Sequence, residues 1–346
     1  MKKIIGLLVA IMLVAAIFAG CSTGAATSSA STDTSAAASA AAAETAAETQ
    51  PDAAATESAA AVDDPADITI GFSNITLTTD FLIDLQEGIE EKAKELGINV
   101  ICVNPEMDAN EQISEIESFI SQKVDAIILD PCDAEASSPC VEKAQEAGIP
   151  VVNVNSVCSS EPDAFVGSDD KQAAYLAIDA LAEAVGGKGK IAMMHGNPGQ
   201  SAEVLRSEGA MEQLQKYPDM ELIAEDTAHW NRDEAMTLTE NWIQAYGDEL
   251  VGIFAQNDEM GIGVCNAIDN AGLTGKIQVV GVDLIADAQE YLADGKMAAD
   301  IFQDSKGQGS KAVEIAYAMI TGQPYEKTTY IDFQTVTKEN MDQYYK

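Results

Sequence analysis

From residue 68 onward the apolar positions follow two alternating rhythms. Residues 68–73 (ITIGFS) are a short run of β-formers. Residues 80–96 then place Leu82, Leu85, Ile89, Ala93 and Leu96 at helical spacing, and Gly97 follows as a C-terminal stop. The same exchange continues with a strand at 98–103, a helix at 110–122 carrying Ile113, Ile116 and Ile120 on one face, and the continuous apolar strand 126–129. A helix at 137–147 stops at Gly148, and 150–154 is a further strand. The pattern then restarts, with strands at 190–194, 221–224, 251–255 and 277–282 and helices at 201–215, 233–246 and 259–271.

Strands recur about every 30 residues, the length of one βαβ unit. Two runs of such units predict an α/β chain of two doubly wound, parallel-sheet lobes. In open sheets of this kind, ligands sit at the carboxyl ends of the strands. The residues there are Ser73-Asn74, Asn155-Ser156, the loop 195–201 (HGNPGQS), Gln256-Asn257-Asp258 and Asp283. Most are polar groups able to donate and accept, which suits a small polyhydroxylated ligand, although loops are polar in any protein because they face water.

The first 67 residues break the rhythm. Lys2 and Lys3 precede an uncharged, mostly aliphatic run, 4–18, shorter than the roughly 20 residues of a membrane span and of the length of a secretory signal. It ends at Phe18-Ala19-Gly20-Cys21, which resembles a bacterial lipoprotein processing site, with cleavage before Cys21 and lipid on its thiol. Residues 22–67 contain no aromatic, Leu, Ile or Met, and Val62 is their one larger apolar residue. Such a stretch buries too little to offset its ordering entropy and is expected to be a flexible tether spanning about 40 Å. A lipid-bearing Cys21 and a tether would hold the remaining domain outside the cell, at the membrane.

Charge narrows the partners. The chain has 57 acids against 19 bases, a net charge of −38. Eight of those acids lie in the tether, which has no base, so most of the excess belongs to the lobes. Nucleic-acid binding by phosphate neutralisation and electrostatic attachment to an anionic membrane are both excluded. Five cysteines remain besides Cys21, there is no C-x-x-C, and His195 and His229 lie far apart in sequence, so neither a full disulfide framework nor a zinc site is expected. Cys102 and Cys265 read as small buried apolar residues, while a Cys132–Cys140 bridge stays open.

Several segments together resemble the ribose/galactose-type periplasmic binding proteins, the substrate-binding components of ABC sugar importers. They are VGIFAQNDEM at 251–260, VVGVD at 279–283, SAEVLRSEG at 201–209 and ADIFQ at 299–303. The resemblance covers about residues 68–337. It implies a periplasmic-binding-protein type I fold with three crossing segments, near Gly167-Ser168, Gln303-Asp304 and Ile331-Asp332. The lobes would be 68–168 with 304–331 and 169–303 with 332–346. It further implies that Arg206 donates to sugar oxygens, Trp230 stacks on the ring, Asn257 and Asp283 bond hydroxyls, and Gln303 completes the shell. The N-terminal lobe departs from the ribose binders. Asn155-Ser156 stands where they have Asp-Arg, and the first loop reads Thr78-Thr79-Asp80-Phe81-Leu82, in which Phe81 can stack on the other sugar face and Thr79 lies beside it. Ribose itself is therefore not carried over, and another pentose or hexose, a cyclic polyol or a furanose-like signal fits equally.

The implied action is capture of a sugar or polyol by closing lobes and docking on an ABC transporter permease, as a monomer, with no cofactor, metal or covalent chemistry. A receptor presenting ligand to a membrane sensor uses the same surfaces, and a nucleoside binder shares the fold. An enzyme reading finds little support. Gly261 and Gly263 echo a dinucleotide loop only inside a helix, and His195 near Ser201 has no placed carboxylate to make a triad. A sugar-responsive repressor would need a basic helix-turn-helix where the signal and acidic tether stand.

Overall fold

The computed structural model describes residues 64–344. The expected signal, Cys21 and nearly all of the expected tether lie outside these residues. The described chain begins four residues before the predicted first strand, where Asp64 accepts from the Ala66 N–H and caps a single 3-10 turn, Pro65–Asp67.

The first sheet contains β1 (Thr69–Ser73), β2 (Asn99–Val103), β3 (Ala126–Leu129), β4 (Val151–Asn155) and β5 (Ala164–Gly167). The second contains β6 (Gly189–His195), β7 (Met220–Thr227), β8 (Leu250–Ala255), β9 (Gln278–Asp283) and β10 (Ala299–Phe302). Two short late strands, β11 (Thr328–Tyr330) and β12 (Gln334–Val336), each join one sheet at its edge. The orders are β11-β5-β4-β3-β1-β2 and β12-β10-β9-β8-β6-β7, so the order reverses beside β1 in one lobe and beside β6 in the other. All pairings are parallel except that of β12 with β10, which is antiparallel. The expectation of wholly parallel sheets is corrected there: β12 enters from a short link after β11, with no helical crossover to turn it round.

The helices are α1 (Asp80–Leu96), α2 (Ala109–Gln122), α3 (Ser138–Glu146), α4 (Asp170–Val185), α5 (Ser201–Leu214), α6 (Arg232–Tyr246), α7 (Asp258–Asn270), α8 (Ala286–Ala293) and α9 (Ser305–Ile320). Their starts follow from side-chain caps: Asp108 accepts from Asn110 and Glu111, Asp169 from Lys171 and Gln172, and Asn231 from Asp233 and Glu234. α1 ends at Gly97 in the left-handed conformation, φ 73°.

The chain passes between the sheets three times, between β5 and α4, β10 and α9, and β11 and β12. The helix after each of the first two passages packs on the lobe just entered: α4 lies against α5, β8, β9 and β10, and α9 against α1, β3, β4 and β5. Neither helix was predicted. α4 buries Ala173, Ala174, Ala177, Ile178, Leu181 and Ala182, an alanine-rich face with little hydrophobic contrast.

Two local expectations change. The buried stripe of α2 is Gln112, Ile116 and Phe119, with Ile113 and Ile120 only half-buried. Cys102, on the edge strand β2, is half-buried, whereas Cys265 is buried in α7. All five described cysteines are free thiols, so Cys132 and Cys140 are not bridged. Burial pushes the thiols of Cys102 and Cys140 up to about 12, which leaves them inert. Among the described residues no helix is long and apolar enough to cross a membrane.

Candidate ligand-binding cleft

The carboxyl ends of both sheets face one cavity of about 430 Å³. The first lobe lines it with Ile75, Thr76, Thr79, Phe81, Leu82, Met107, Asn155 and Ser156. The second supplies Gln200, Arg206, His229, Trp230, Asn257, Glu259 and Asp283, and Gln303 lies at the β10–α9 passage. Nine of the eleven sequence-selected ligand residues therefore meet at one place. The other two, Ser73 and Asn74, are fully buried and do not line it. They are corrected from contact residues to framework. The Ser73 hydroxyl donates to Glu115 at 2.8 Å, and the Asn74 amide donates to the Leu82 carbonyl at 3.1 Å while accepting from the Ile75 N–H.

Two buried glutamines, one per lobe, fix the strand ends. Gln112 donates to the carbonyls of Asn74 and Asp130 and accepts from the Cys132 N–H and the Ser137 hydroxyl. Gln256 accepts from the Gly196 N–H and donates to the Ser207 hydroxyl. A polar residue in the middle of an apolar helix face was the available sign for Gln112, since a buried amide needs several partners.

Arg206 projects from α5 and is 4% exposed. Its Nε donates to Asp170 Oδ1 at 2.9 Å, Nη1 to the Gln256 carbonyl, and Nη2 to Gln303 Oε1 at 2.9 Å. Three of its five donors are thus held by protein and the guanidinium is fixed in place. Asn257 caps α7 through Oδ1, which accepts from the Met260 N–H at 3.0 Å, so its amide N–H groups are what remain for the cavity. Asp283 ends β9. Burial raises its carboxyl well above the ordinary value; Arg206 pulls it down and Asp300 pushes it up. Arg232 is occupied by Glu259 and Asp287, at 2.9 and 3.0 Å.

Trp230 lies across Gly196, where an added Cβ would fall 1.8 Å from the ring. Its indole N–H donates to Gln200 Oε1. Gln200 Nε2 in turn donates to the Cys132 carbonyl of the first lobe at 3.1 Å. The same loop receives the Ala134 N–H at the Gly199 carbonyl and the Val157 N–H at the Ser201 hydroxyl, both at 3.1 Å. These bonds hold the lobes closed on each other.

Eight described non-glycine residues have positive φ, and five of them, Met107, Asn155, His229, Trp230 and Asp283, line the cavity. Backbone strain is concentrated where side chains must be aimed. Of the other features weighed from the sequence, the two helix glycines serve close packing, and His195, expected to have no placed carboxylate, has those of Glu203 and Glu225 at 3.4 Å. Gly263 abuts the Arg232 carbonyl and Gly261 the Met297 side chain. His195 bonds Ser207 at 2.8 Å, whereas Ser201 holds Val157. Among the described residues no group of three or more His, Cys, Asp or Glu is placed to hold a metal ion.

Gln200 comes from the loop 195–201 noted in the sequence, and residues not selected from it complete the lining: Ile75, Thr76, Leu82, Met107, His229 and Glu259 foremost. Most are apolar or lie one or two positions from a selected residue, and loop course decides which of them faces inward.

Comparison with known proteins agrees with this geometry. Residues 70–324 match the family model described as periplasmic binding protein domain. The xylitol-binding protein of Mycolicibacterium smegmatis is 34% identical over 264 residues, covering 76% of this chain and 75% of that protein. The ribose import binding protein RbsB of Bacillus subtilis is 34% identical over 265 residues, covering 76% of this chain and 85% of its own. A crystal structure of an ABC transporter periplasmic solute binding protein from Actinobacillus succinogenes 130z with bound D-allose is 35% identical, with a TM-score of 0.77, covering 80% of this chain and all of that one. With two doubly wound lobes closed over a polar cleft and a family match across most of its length, this chain belongs to the periplasmic binding protein domain family.

Proposed function

We propose that this protein is an extracytoplasmic solute-binding protein that captures a monosaccharide or related polyol between its lobes and delivers it to an ABC transporter permease. The observation that carries the reading is the makeup of the cavity wall. Aromatic rings from both lobes, Phe81 and Trp230, stand with fixed hydrogen-bonding groups on Arg206, Asn257, Asp283, Gln303 and Asn155. Aromatic faces suit the C–H patches of a sugar ring, and a carboxylate beside a guanidinium suits adjacent hydroxyls. Relatives bearing the names of a linear polyol, a pentose and a hexose support the class and leave the individual ligand open. The replacement of an Asp-Arg pair by Asn155-Ser156 favours a ligand other than ribose.

In this reading the lobes are 68–168 with 304–331 and 169–303 with 332–346, and the three passages between the sheets form the hinge. Binding shifts an open–closed equilibrium, and no bond is made or broken. The protein acts as a monomer, anchored by lipid on Cys21 through the acidic tether. Isothermal titration of the protein from Ser22 onward against pentoses, hexoses, xylitol, inositols and nucleosides tests the reading. Binding of a sugar or polyol is expected; binding of a nucleoside alone overturns it. Loss of labelled-sugar uptake in cells lacking the protein separates delivery to a permease from presentation to a sensor.

A further inference from the structure

The N-terminal lobe has a carboxyl group beside the cleft that is not one of the residues singled out from the sequence. Asp130 follows β3 and is fully buried. Its Oδ2 accepts from Asn155 Nδ2 at 3.0 Å, while Oδ1 meets no donor. Asn155 lines the cavity, on a backbone with φ 60°.

From Arg206 to this carboxyl the hydrogen bonds run one way. Arg206 Nη2 donates to Gln303 Oε1 at 2.9 Å, Gln303 Nε2 donates to Asn155 Oδ1 at 3.2 Å, and Asn155 Nδ2 donates to Asp130 Oδ2. A guanidinium only donates, so the direction is set from the Arg206 end, and Asp130 Oδ2 completes it as an acceptor, ionised or with its proton on Oδ1. Two amides strung between such ends have one permitted orientation each. Turning Asn155 over would set its NH2 against that of Gln303 and its carbonyl against Asp130. The second N–H of Asn155 points toward the Ser156 hydroxyl at 3.4 Å. What Asn155 retains for a ligand is a lone pair on Oδ1; what Gln303 retains is one N–H.

We propose that Asp130 is a positioning residue that sets ligand specificity: it locks the Asn155 amide so that the hinge side of the cleft offers an acceptor at Asn155 and a donor at Gln303. The cleft then favours a hydroxyl that donates to the second lone pair of Asn155 Oδ1, and it disfavours ligands in which that oxygen is missing or capped, because closure shuts that lone pair away from water with the Gln303 N–H as its one partner. Burial pushes the Asp130 carboxyl up to about 8, so near neutral pH it is largely uncharged and places no second full anion beside Asp170. The proposal rests on the sugar or polyol reading for its ligand and on the relay alone for its geometry.

Two measurements test it. The first uses whichever of D-ribose, D-allose, xylitol and myo-inositol the wild type binds most tightly, together with its deoxy and epimeric analogues. Asp130→Leu, which removes the acceptor at similar volume, should lower affinity at least tenfold and shrink the discrimination against the analogues. Asp130→Asn, which can still accept, should restore both to within about threefold. A folded Leu variant that keeps wild-type affinity and discrimination overturns the proposal, as does equal loss in Leu and Asn. The second needs no ligand and no variant. In ¹⁵N-asparagine-labelled wild type, the Asn155 side-chain amide protons should exchange at least tenfold more slowly than those of exposed asparagines such as Asn110. Exchange at the exposed rate overturns the relay even where a sugar binds, and slow exchange upholds it even where none of the four ligands does.

Discussion

Asp170 holds Arg206 from behind: the Arg206 Nε donates to Asp170 Oδ1 at 2.9 Å, and both side chains are more than nine-tenths buried. The pair joins the start of α4, the helix entered after the first passage between sheets, to the cleft wall. Arg206→Ala should therefore do two things. It should abolish sugar binding, and by leaving Asp170 buried without its partner it should cost about 3–5 kcal/mol of stability. Asp170→Asn keeps an acceptor and should cost less, with affinity lowered about tenfold as Arg206 loosens. Asp283→Ala should remove binding at a smaller cost in stability, since its carboxyl takes the Asp258 N–H and faces Arg206 but holds no buried ion pair of its own. Titration calorimetry and urea unfolding check each, and unchanged affinity in both Arg206→Ala and Asp283→Ala would place the ligand elsewhere.

The chain has two tryptophans, so its fluorescence can be assigned. Trp242 is buried in α6 and away from the cavity, whereas Trp230 is half-buried in the cavity wall. A ligand-induced change in emission is expected to vanish in Trp230→Phe and persist in Trp242→Phe. The reverse pattern would contradict stacking at Trp230.

Gln200 links a ligand-facing ring to lobe closure, because its carbonyl takes the Trp230 N–H and its amide reaches the Cys132 carbonyl across the cleft. Gln200→Ala removes both bonds. Affinity should fall roughly thirtyfold, in line with two lost hydrogen bonds of about 1 kcal/mol each. Small-angle scattering should show less compaction on adding ligand. Wild-type compaction at saturation would remove Gln200 from the closing mechanism.

The buried carboxyls set a pH dependence. Burial pushes Asp300 up to about 6 and Asp130 up to about 8, and it raises Asp258 and Asp283 in the same direction. From about pH 4 upward the unfolded chain sheds protons that the folded protein keeps, so these groups favour folding most at low pH. Their contribution declines up to about pH 6 for Asp300 and pH 8 for Asp130. The ligand-free protein should melt at a higher temperature at pH 5 than at pH 8, and Asp130→Asn should flatten the fall, most visibly between pH 6 and 8. A melting temperature that climbs steadily from pH 5 to pH 8 would contradict the protonated core acids.

Cys21→Ser tests the anchor. The variant should appear in the soluble fraction outside the cell, with sugar affinity unchanged. Continued membrane association would remove Cys21 as the point of attachment.

Much of the fold was legible because hydrophobic rhythm reports directly on secondary structure. The strand at 126–129 reads identically in sequence and structure, since a run flanked on both sheet faces must be apolar throughout. α4 and α9 escaped notice because alanine and glycine faces pack closely without a strong polar contrast. Gly309 of α9 sits where an added Cβ would be 2.3 Å from the Leu85 carbonyl of α1.

Sequence by itself determined the alternation of strands and helices, the strand ends where ligand groups gather, the acidic surface and the family likeness. These follow from periodicity and residue type, which are local. Tertiary structure decided which polar groups reach the cleft. Ser73 and Asn74 end a strand just as Asn155 and Asp283 do, yet they turn into the core, and only the packing of Gln112 and Glu115 around them makes that so. It also decided that a buried carboxyl, Asp130, bonds Asn155, because β3 and β4 are neighbours in the sheet while Asp130 and Asn155 lie 25 positions apart in the chain.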